Sequence, residues 1–460
     1  MMMMRRSPLL IALFAAALLV GGGVALVRHL LPPAATPAAA DPAQAQRADA
    51  FLDLLDAGRY EEALAMGSPR LREALAGGKL QKVWETLPQQ LGARQARGPI
   101  RGEAIDGHPI LTASLRFGLT ALDARIAFDA DGLIDGFRLV PAQAPTTPAE
   151  PVRNERYAET AIAVGSPDGD LPGLLTLPTA ADRVPGVVLV HGSGPHDRDE
   201  TIGPNKPFRD LAHGLAERGI AVLRYDKRTK VAPQRFAGGD FTVEDEVVAD
   251  ALAAVALLRT RPEIDPARIF VVGHSLGAML APRIAERDPR IAGLVLLAAP
   301  ATRLEDAVLR QSRYLAQSNG TPDAETEAAL ATLAQQRDRI RRLADEPDDG
   351  TPLMLNLPRR YWLDLDHYDA IATARRIGRP LLIVQGEADY QVTPEDDFAR
   401  WREAFGADPR VRLIGYPGLS HLLMPAGDRP GPADYAKAGH VADAVIADVA
   451  DWIARTPASP

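Results

Sequence analysis

Cysteine is absent from all 460 residues. That excludes disulfides, thiolate metal sites, cysteine nucleophiles and a cysteine-linked lipid anchor. It also suits an oxidising compartment, where stray thiols are a liability. Positive charge is in the minority: 52 lysines and arginines face 60 aspartates and glutamates, a formal net charge of -8 with a pI near 5.7. Such a balance argues against nucleic acid or an anionic membrane surface as the main partner. Nothing in the chain resembles a metal or nucleotide site, so neither a cofactor nor a metal is expected. Hydrophobic residues make up 46% and charged residues 24%, which suffices for a packed core.

The N-terminus opens on a basic stretch, residues 1–6, followed by a wholly apolar run at 9–27 and an Ala/Pro-rich stretch at 32–45. A basic start, an apolar run and a small-residue region read as an export signal, with Ala38-Ala39-Ala40 as an A-x-A cleavage site. The run is also close to the minimum for spanning a bilayer. Residues 1–31 are therefore expected to be a signal peptide or an uncleaved anchor. Either places the folded part outside the inner membrane, free in the periplasm or tethered and facing outward. Membrane contact is expected only through that segment.

Residues 32–46 read as a linker and 47–140 as a small α+β domain. Apolar residues at helical spacing fill 47–91, and from Ala93 the period changes to two. Strands are expected over 100–105, 110–117, 122–128 and 133–140, with Asp106-Gly107 and Asp131-Gly132 as hairpin turns. A second Pro/Ala/Thr-rich linker covers 141–151. From 152 to 460, strands and helices alternate, the pattern of a mostly parallel α/β sheet. Ligands in such sheets sit beyond the carboxyl ends of the strands. A polar insertion at about 302–375 reads as a helical cap or lid.

Gly273-His274-Ser275-Leu276-Gly277 fits G-x-S-x-G, preceded by an apolar strand and followed by an Ala/Leu-rich helix. This is a nucleophile elbow, whose glycines let two backbone segments approach closely. A serine nucleophile needs a base, and the base needs an orienting acid, in the chain order Ser, acid, His. Asp389, in the loop after a buried strand ending near Gly386, supplies the acid. Glu387 is its rival, while Asp396 and Asp397 suit the first turn of the next helix. His421, in a Pro/Gly loop after the following strand, supplies the base. His440 at an expected helix start and His367 in the insertion are assigned to surface or packing roles, and His274 to a structural one. The oxyanion hole is expected from the N–H groups of Leu276 and Ser193, with Gly192 as the alternative to Ser193.

From 152 onward the chain resembles the α/β-hydrolases, in particular the two-domain bacterial carboxylesterases of the EstD type. The resemblance rests on the stretch from His191-Gly192-Ser193-Gly194-Pro195 through Asn205-Lys206-Pro207-Phe208, on Arg224-Tyr225-Asp226-Lys227-Arg228, on the elbow, on Gln385-Gly386-Glu387-Ala388-Asp389 and on the His421 loop. Residues 47–140 look like the small domain of unknown function found ahead of such hydrolases. The resemblance implies hydrolysis of small-molecule carboxylic esters, with short acyl chains expected and Ser275, Asp389 and His421 as the triad. The same triad would also serve an aminopeptidase or an acyl-thioester hydrolase. A non-catalytic envelope-binding protein on this fold is the alternative from another class. The charged clusters at 196–200 and 224–228 are expected to be a salt-bridge network bracing the oxyanion loop.

Overall fold

The computed structural model describes residues 36–37, 40–91, 93–105, 108–117, 121–142, 151–179, 183–236, 239–318 and 320–459. The apolar run at 9–27, Ala38 and Ala39 of the cleavage motif, the turn expected at Asp106-Gly107 and residues 143–150 of the second linker lie outside them. No helix of the described residues is long and apolar enough to cross a membrane.

The first helix spans Pro42–Asp56 and so begins inside the linker expected at 32–46. The physical reason is local. The Asp41 side chain accepts from the N–H groups of Ala43 and Gln44, and Pro42 occupies the first turn, where its missing N–H costs nothing. Helices Tyr60–Ala65, Pro69–Leu75 and Lys79–Leu91 follow. Six strands form one antiparallel sheet: β1 (Thr36–Pro37), β2 (Arg94–Arg97), β3 (Arg101–Ile105), β4 (His108–Phe117), β5 (Ala121–Phe128) and β6 (Ile134–Pro141). The period of two is visible in the packing. Leu111, Ala113, Leu115 and Phe117 of β4 join Leu122, Ala124 and Ile126 of β5 in one core with Phe51, Leu52 and Leu55 of the first helix.

The second domain is built on eight strands: β7 (Tyr157–Val164), β8 (Leu171–Pro178), β9 (Val184–Val190), β10 (Ala221–Tyr225), β11 (Ile264–His274), β12 (Gly293–Leu297), β13 (Leu381–Gly386) and β14 (Val411–Tyr416). Their order across the sheet is β14-β13-β12-β11-β9-β10-β8-β7. β9 through β14 pair in parallel, whereas β8 runs antiparallel to both β7 and β10. Helices Pro207–Ala216 and Asp443–Arg455 cover one face. Helices Ala249–Arg259, Leu276–Arg287 and Ala399–Phe405 cover the other. The central strands β9, β12 and β13 are almost wholly apolar because both faces are buried.

The insertion carries helices Leu304–Ser318, Ala324–Ile340, Arg359–Asp366 and Ala370–Ile377. It is not a wholly solvated appendage. Tyr361 and Trp362 are buried and belong to the core on the elbow-helix side of the sheet. Two of the expected helices begin with a π-helical turn, Glu244–Val248 and Pro394–Phe398.

Candidate active site

The chain leaves β9 to both sides, to β10 and then to β11, so the sheet has its switch point between β9 and β11. A crevice opens beyond the carboxyl ends of strands at such a point. Gly273 lies opposite Val190 in the β9–β11 register. The loop after Val190 and the turn after His274 therefore start side by side.

Ser275 follows β11 with φ 53° and ψ -117°, a conformation in which side-chain-bearing residues are strained. Two close backbone approaches impose it. A Cβ on Gly273 would stand 2.3 Å from the Gly277 oxygen, and one on Gly277 would stand 2.2 Å from the Val190 oxygen. The Ser275 N–H donates to the Leu297 oxygen at 2.9 Å, which ties the turn to β12. The other four residues of the elbow are buried, and Ser275 alone is partly exposed. Leu276 opens the helix Leu276–Arg287. Its amide is one of the first-turn N–H groups with no intrahelical acceptor, at the end of the helix that favours negative charge.

Asp389 follows β13 and His421 follows β14. His421 Nδ1–H donates to Asp389 Oδ2 at 2.7 Å, and both residues are buried. Asp389 Oδ1 accepts from the N–H groups of Gln391 at 2.8 Å and Val392 at 3.0 Å, which fixes the carboxylate. An acceptor held at Nδ1 keeps the proton there and leaves Nε2 to act as a base. Glu387, the rival acid, is exposed and turned toward Gly415, where an added Cβ would meet its Oε1 at 2.4 Å. Asp396 and Asp397 lie in the first turn after the Thr393 cap, as expected. Asp397 does more than favour a dipole: fully buried, it accepts from the N–H groups of Ala301 and Thr302 and pairs with Arg310 of the insertion at 2.5 Å.

The remaining histidines sort by contact. His367 is exposed, with Nδ1 at 2.6 Å from the Leu363 oxygen. His440 is exposed and lies before its helix rather than at the start of it, which begins at Asp443. The reason is that Gly439 and Val441 N–H donate to Asn205 and Asp210 instead of entering a helical ladder. His274 is buried between two acceptors, with Nδ1 3.0 Å from Glu200 Oε2 and Nε2 3.0 Å from the His421 oxygen. Burial alone would lower its basicity. The Glu200 carboxylate, aided by the His421 carbonyl, outweighs that and holds it above the ordinary histidine value. Burial likewise opposes ionisation of Glu200, yet His274 keeps its carboxyl at about 2.

Glu200 also touches one of the two candidate oxyanion donors. Its Oε1 accepts from Gly192 N–H at 2.7 Å, so that amide is already used. Ser193 N–H has no acceptor among the described residues. The charged clusters brace this loop. Arg198 forms a two-pronged pair with Asp226, with both contacts at 2.9 Å. Arg224 binds Asp199 at 3.0 Å and Glu159 at 2.8 Å. Lys227 donates to the Gly192 oxygen at 2.9 Å and to Glu246 at 2.5 Å, and Tyr361 donates to the same carboxylate at 2.7 Å. The sequence did not single out Glu246, and marked Tyr361 only as one of several aromatic residues in the insertion. The only signal was the aromatic cluster in the insertion.

Helix Leu304–Ser318 lies against the acid loop. Gln311 donates to the Gln391 oxygen at 3.0 Å, and Tyr314 stacks on Tyr390 with ring centres 5.2 Å apart. A cavity of about 740 Å³ lies beside the insertion, lined in part by Met279, Thr302, Arg303, Arg341, Asp366 and Tyr368. None of Ser275, Asp389 and His421 lines it. Its charges also answer one another, Arg303 with Asp366 and Arg341 with Asp306. Among the described residues, no group of three or more His, Asp or Glu could hold a metal ion.

Residues 187–438 match the α/β hydrolase family, and residues 48–137 match a domain described as a protein of unknown function, DUF3887. The chain is 36% identical to Esterase EstD of Thermotoga maritima over 413 residues, which cover 89% of this chain and 95% of that one. Among solved structures it is similar to Est1E of Butyrivibrio proteoclasticus bound to ferulic acid, at 18% identity and a TM-score of 0.41 over 64% of this chain and 99% of that one. An esterase of Pyrococcus furiosus is similar at 17% identity and a TM-score of 0.39, over 65% and 91% of the two chains. With the family match spanning more than half of the chain, and with EstD covered nearly end to end, this chain belongs to the α/β hydrolase family.

Proposed function

We propose that this hydrolase is a serine carboxylesterase in which Ser275 is the nucleophile, His421 the base and Asp389 the residue that orients it. Ser275 Oγ attacks the ester carbonyl while its proton passes to His421 Nε2. The oxyanion forms against the N–H groups of Leu276 and Ser193. The carbon–oxygen bond to the alcohol breaks as His421 returns the proton to the leaving oxygen. Water then repeats the sequence on the acyl-enzyme and releases the acid.

One observation carries this reading. The buried His421–Asp389 hydrogen bond of 2.7 Å lies on the loops after β14 and β13, at the same sheet end as the strained Ser275. The His421 ring also packs 4.7 Å from that of His274, the neighbour of Ser275. The esterase name of the 36%-identical relative supports ester rather than amide or thioester substrates. An aminopeptidase would need a carboxylate to hold the substrate amine. Beside the oxyanion loop, Asp199 is committed to Arg224 and Lys206, and Glu200 to Gly192 and His274. The catalytic unit in this reading is residues 152–460, and short acyl chains are its substrates. Export, with the enzyme periplasmic or anchored facing outward, is proposed from the basic and apolar N-terminal residues.

The test is a panel of p-nitrophenyl acetate, butyrate and palmitate beside aminoacyl amides and acyl thioesters. Acetate and butyrate should turn over fastest. A fluorophosphonate probe should label the protein but not Ser275→Ala, and that variant should lose about 10⁶ in kcat. Folded Ser275→Ala that still hydrolyses esters would place the nucleophile elsewhere. Faster amide or thioester turnover would reassign the substrate class.

A further inference from the structure

Lys227 is 2% exposed, and its partner Glu246 is 1% exposed. Burying an ammonium is expensive, and a lysine this deep persists only when several acceptors meet it. Here there are two. One is Glu246 Oε1 at 2.5 Å and the other is the backbone oxygen of Gly192 at 2.9 Å. The second contact bears on the chemistry. The Gly192 carbonyl and the Ser193 N–H belong to one peptide unit. No cis peptide occurs among the described residues. In a planar trans unit the C=O and N–H point in opposite directions. Whatever holds the Gly192 oxygen therefore aims the Ser193 N–H. A cation on the carbonyl also polarises the amide and makes its N–H a stronger donor, as hydrogen bonds in a chain do to one another.

The grip extends further. Glu246 sits on the π-helical turn Glu244–Val248, and its other oxygen accepts from Tyr361 at 2.7 Å. Tyr361 belongs to the insertion helix Arg359–Asp366. Three buried side chains thus run from the insertion to the peptide that carries the expected donor. The peptide on the other side of Gly192 is held separately, through Glu200.

We propose that Lys227 is a positioning residue of the oxyanion hole, aiming and polarising the Ser193 N–H through the Gly192 carbonyl, and that Tyr361 makes this grip depend on the docked insertion. The proposal rests on the esterase reading above, with Ser193 N–H as a donor. A purely structural pair would cost stability and leave the kinetics of the folded protein intact. A positioning role lowers kcat and the affinity for a transition-state mimic together.

The experiment compares Lys227→Met, the double variant Lys227→Met with Glu246→Gln, and Tyr361→Phe. The double variant leaves no orphaned buried charge. For each, kcat and KM on p-nitrophenyl butyrate and inhibition by an alkyl trifluoromethyl ketone are measured on protein whose circular dichroism matches the parent. Both lysine variants should lose about 10²–10³ in kcat, as removal of an oxyanion donor does, with KM within a few fold. Ketone affinity should fall by a similar factor. Tyr361→Phe removes only the last link, and a loss of about tenfold in kcat is expected. A folded double variant with parental kcat and ketone affinity overturns the role of Lys227. Parental kcat in Tyr361→Phe overturns the link to the insertion. Either result in an enzyme whose Ser275→Ala variant is dead leaves the esterase reading standing. Absence of any ester turnover by the parent would instead overturn that reading and this proposal with it.

Discussion

The imidazole of His274 reaches across the site to the backbone of His421, with Nε2 3.0 Å from its carbonyl oxygen. The residue beside Ser275 thereby holds the main chain of His421. Both nitrogens of His274 face acceptors, so the ring is best satisfied when doubly protonated.

That pairing fixes a pH window for stability. Glu200 is lowered from 4.5 to about 2, so its contribution is complete above 4.5 and is lost as pH falls toward 2. His274 is raised from 6.5, so its contribution is complete below 6.5 and is lost as pH rises through the raised value. The pair is fully formed between those limits. Glu200→Gln should therefore cost about 3 kcal/mol near pH 6, and less once the pH has risen through the raised His274 value. Thermal melts of parent and variant across pH check this. A gap that failed to shrink at any pH above 6.5 would show that Glu200 does not owe its contribution to a titrating His274.

Asp389→Asn should preserve the geometry and lose up to about 10⁴ in kcat, because the amide disfavours the tautomer that leaves Nε2 free. Glu387→Gln, altering an exposed side chain turned toward Gly415, should stay within about twofold of the parent. Steady-state kinetics on one ester decide the matter. If the second variant were the more damaging, the acid assignment would be reversed.

Asp397 joins the loop after β12, the Thr393 cap and Arg310 of the insertion. Asp397→Ala removes the nearest carboxylate from Arg310 and strands three backbone N–H groups, and should cost about 3 kcal/mol. A shift in the urea midpoint worth less than about 1 kcal/mol would show that this junction is carried by the surrounding apolar packing instead.

Shortening the chain tests the first domain. A protein starting at Ala40 keeps the Asp41 cap, whereas one starting at Gln44 loses it together with Pro42. The second should melt lower by about 1 kcal/mol of stability in the small domain, with unchanged ester turnover. A protein starting at Val152 should fold as a hydrolase. Its aggregation would show that the small domain shields the second, to which the helix Lys79–Leu91 already connects through Pro432–Tyr435.

The eight strands of the large sheet and the placement of Ser275, Asp389 and His421 were legible because each depends on local signals: buried apolar runs, tight glycine turns and a fixed chain order. Three things were not. One is the bond from Gly192 N–H to Glu200, whose carboxylate reaches back to an amide that no periodicity marks. The role of Glu246 was hidden because helical periodicity does not reveal the π-helical turn Glu244–Val248 on which it sits. A π-helical turn adds a residue to one turn and rotates the faces after it. The start of the first helix was misplaced by composition. Alanine and proline suggested a linker, although Asp41-Pro42 is a sound helix start.

The insertion leaves the chain between β12 and β13, apart in sequence from Ser275, Asp389 and His421. On that ground alone it looks like a module that could be traded among relatives to change which esters enter. Its anchor points argue otherwise. Gln311 ends on the loop after β13, Arg310 on Asp397 in the turn that follows it, and Tyr361 on Glu246, the partner of Lys227. A chimera carrying a foreign insertion inherits a new doorway and also a different tension on the machinery behind it. Engineers grafting such a segment should transplant these three side chains, with the residues they meet, as part of the graft.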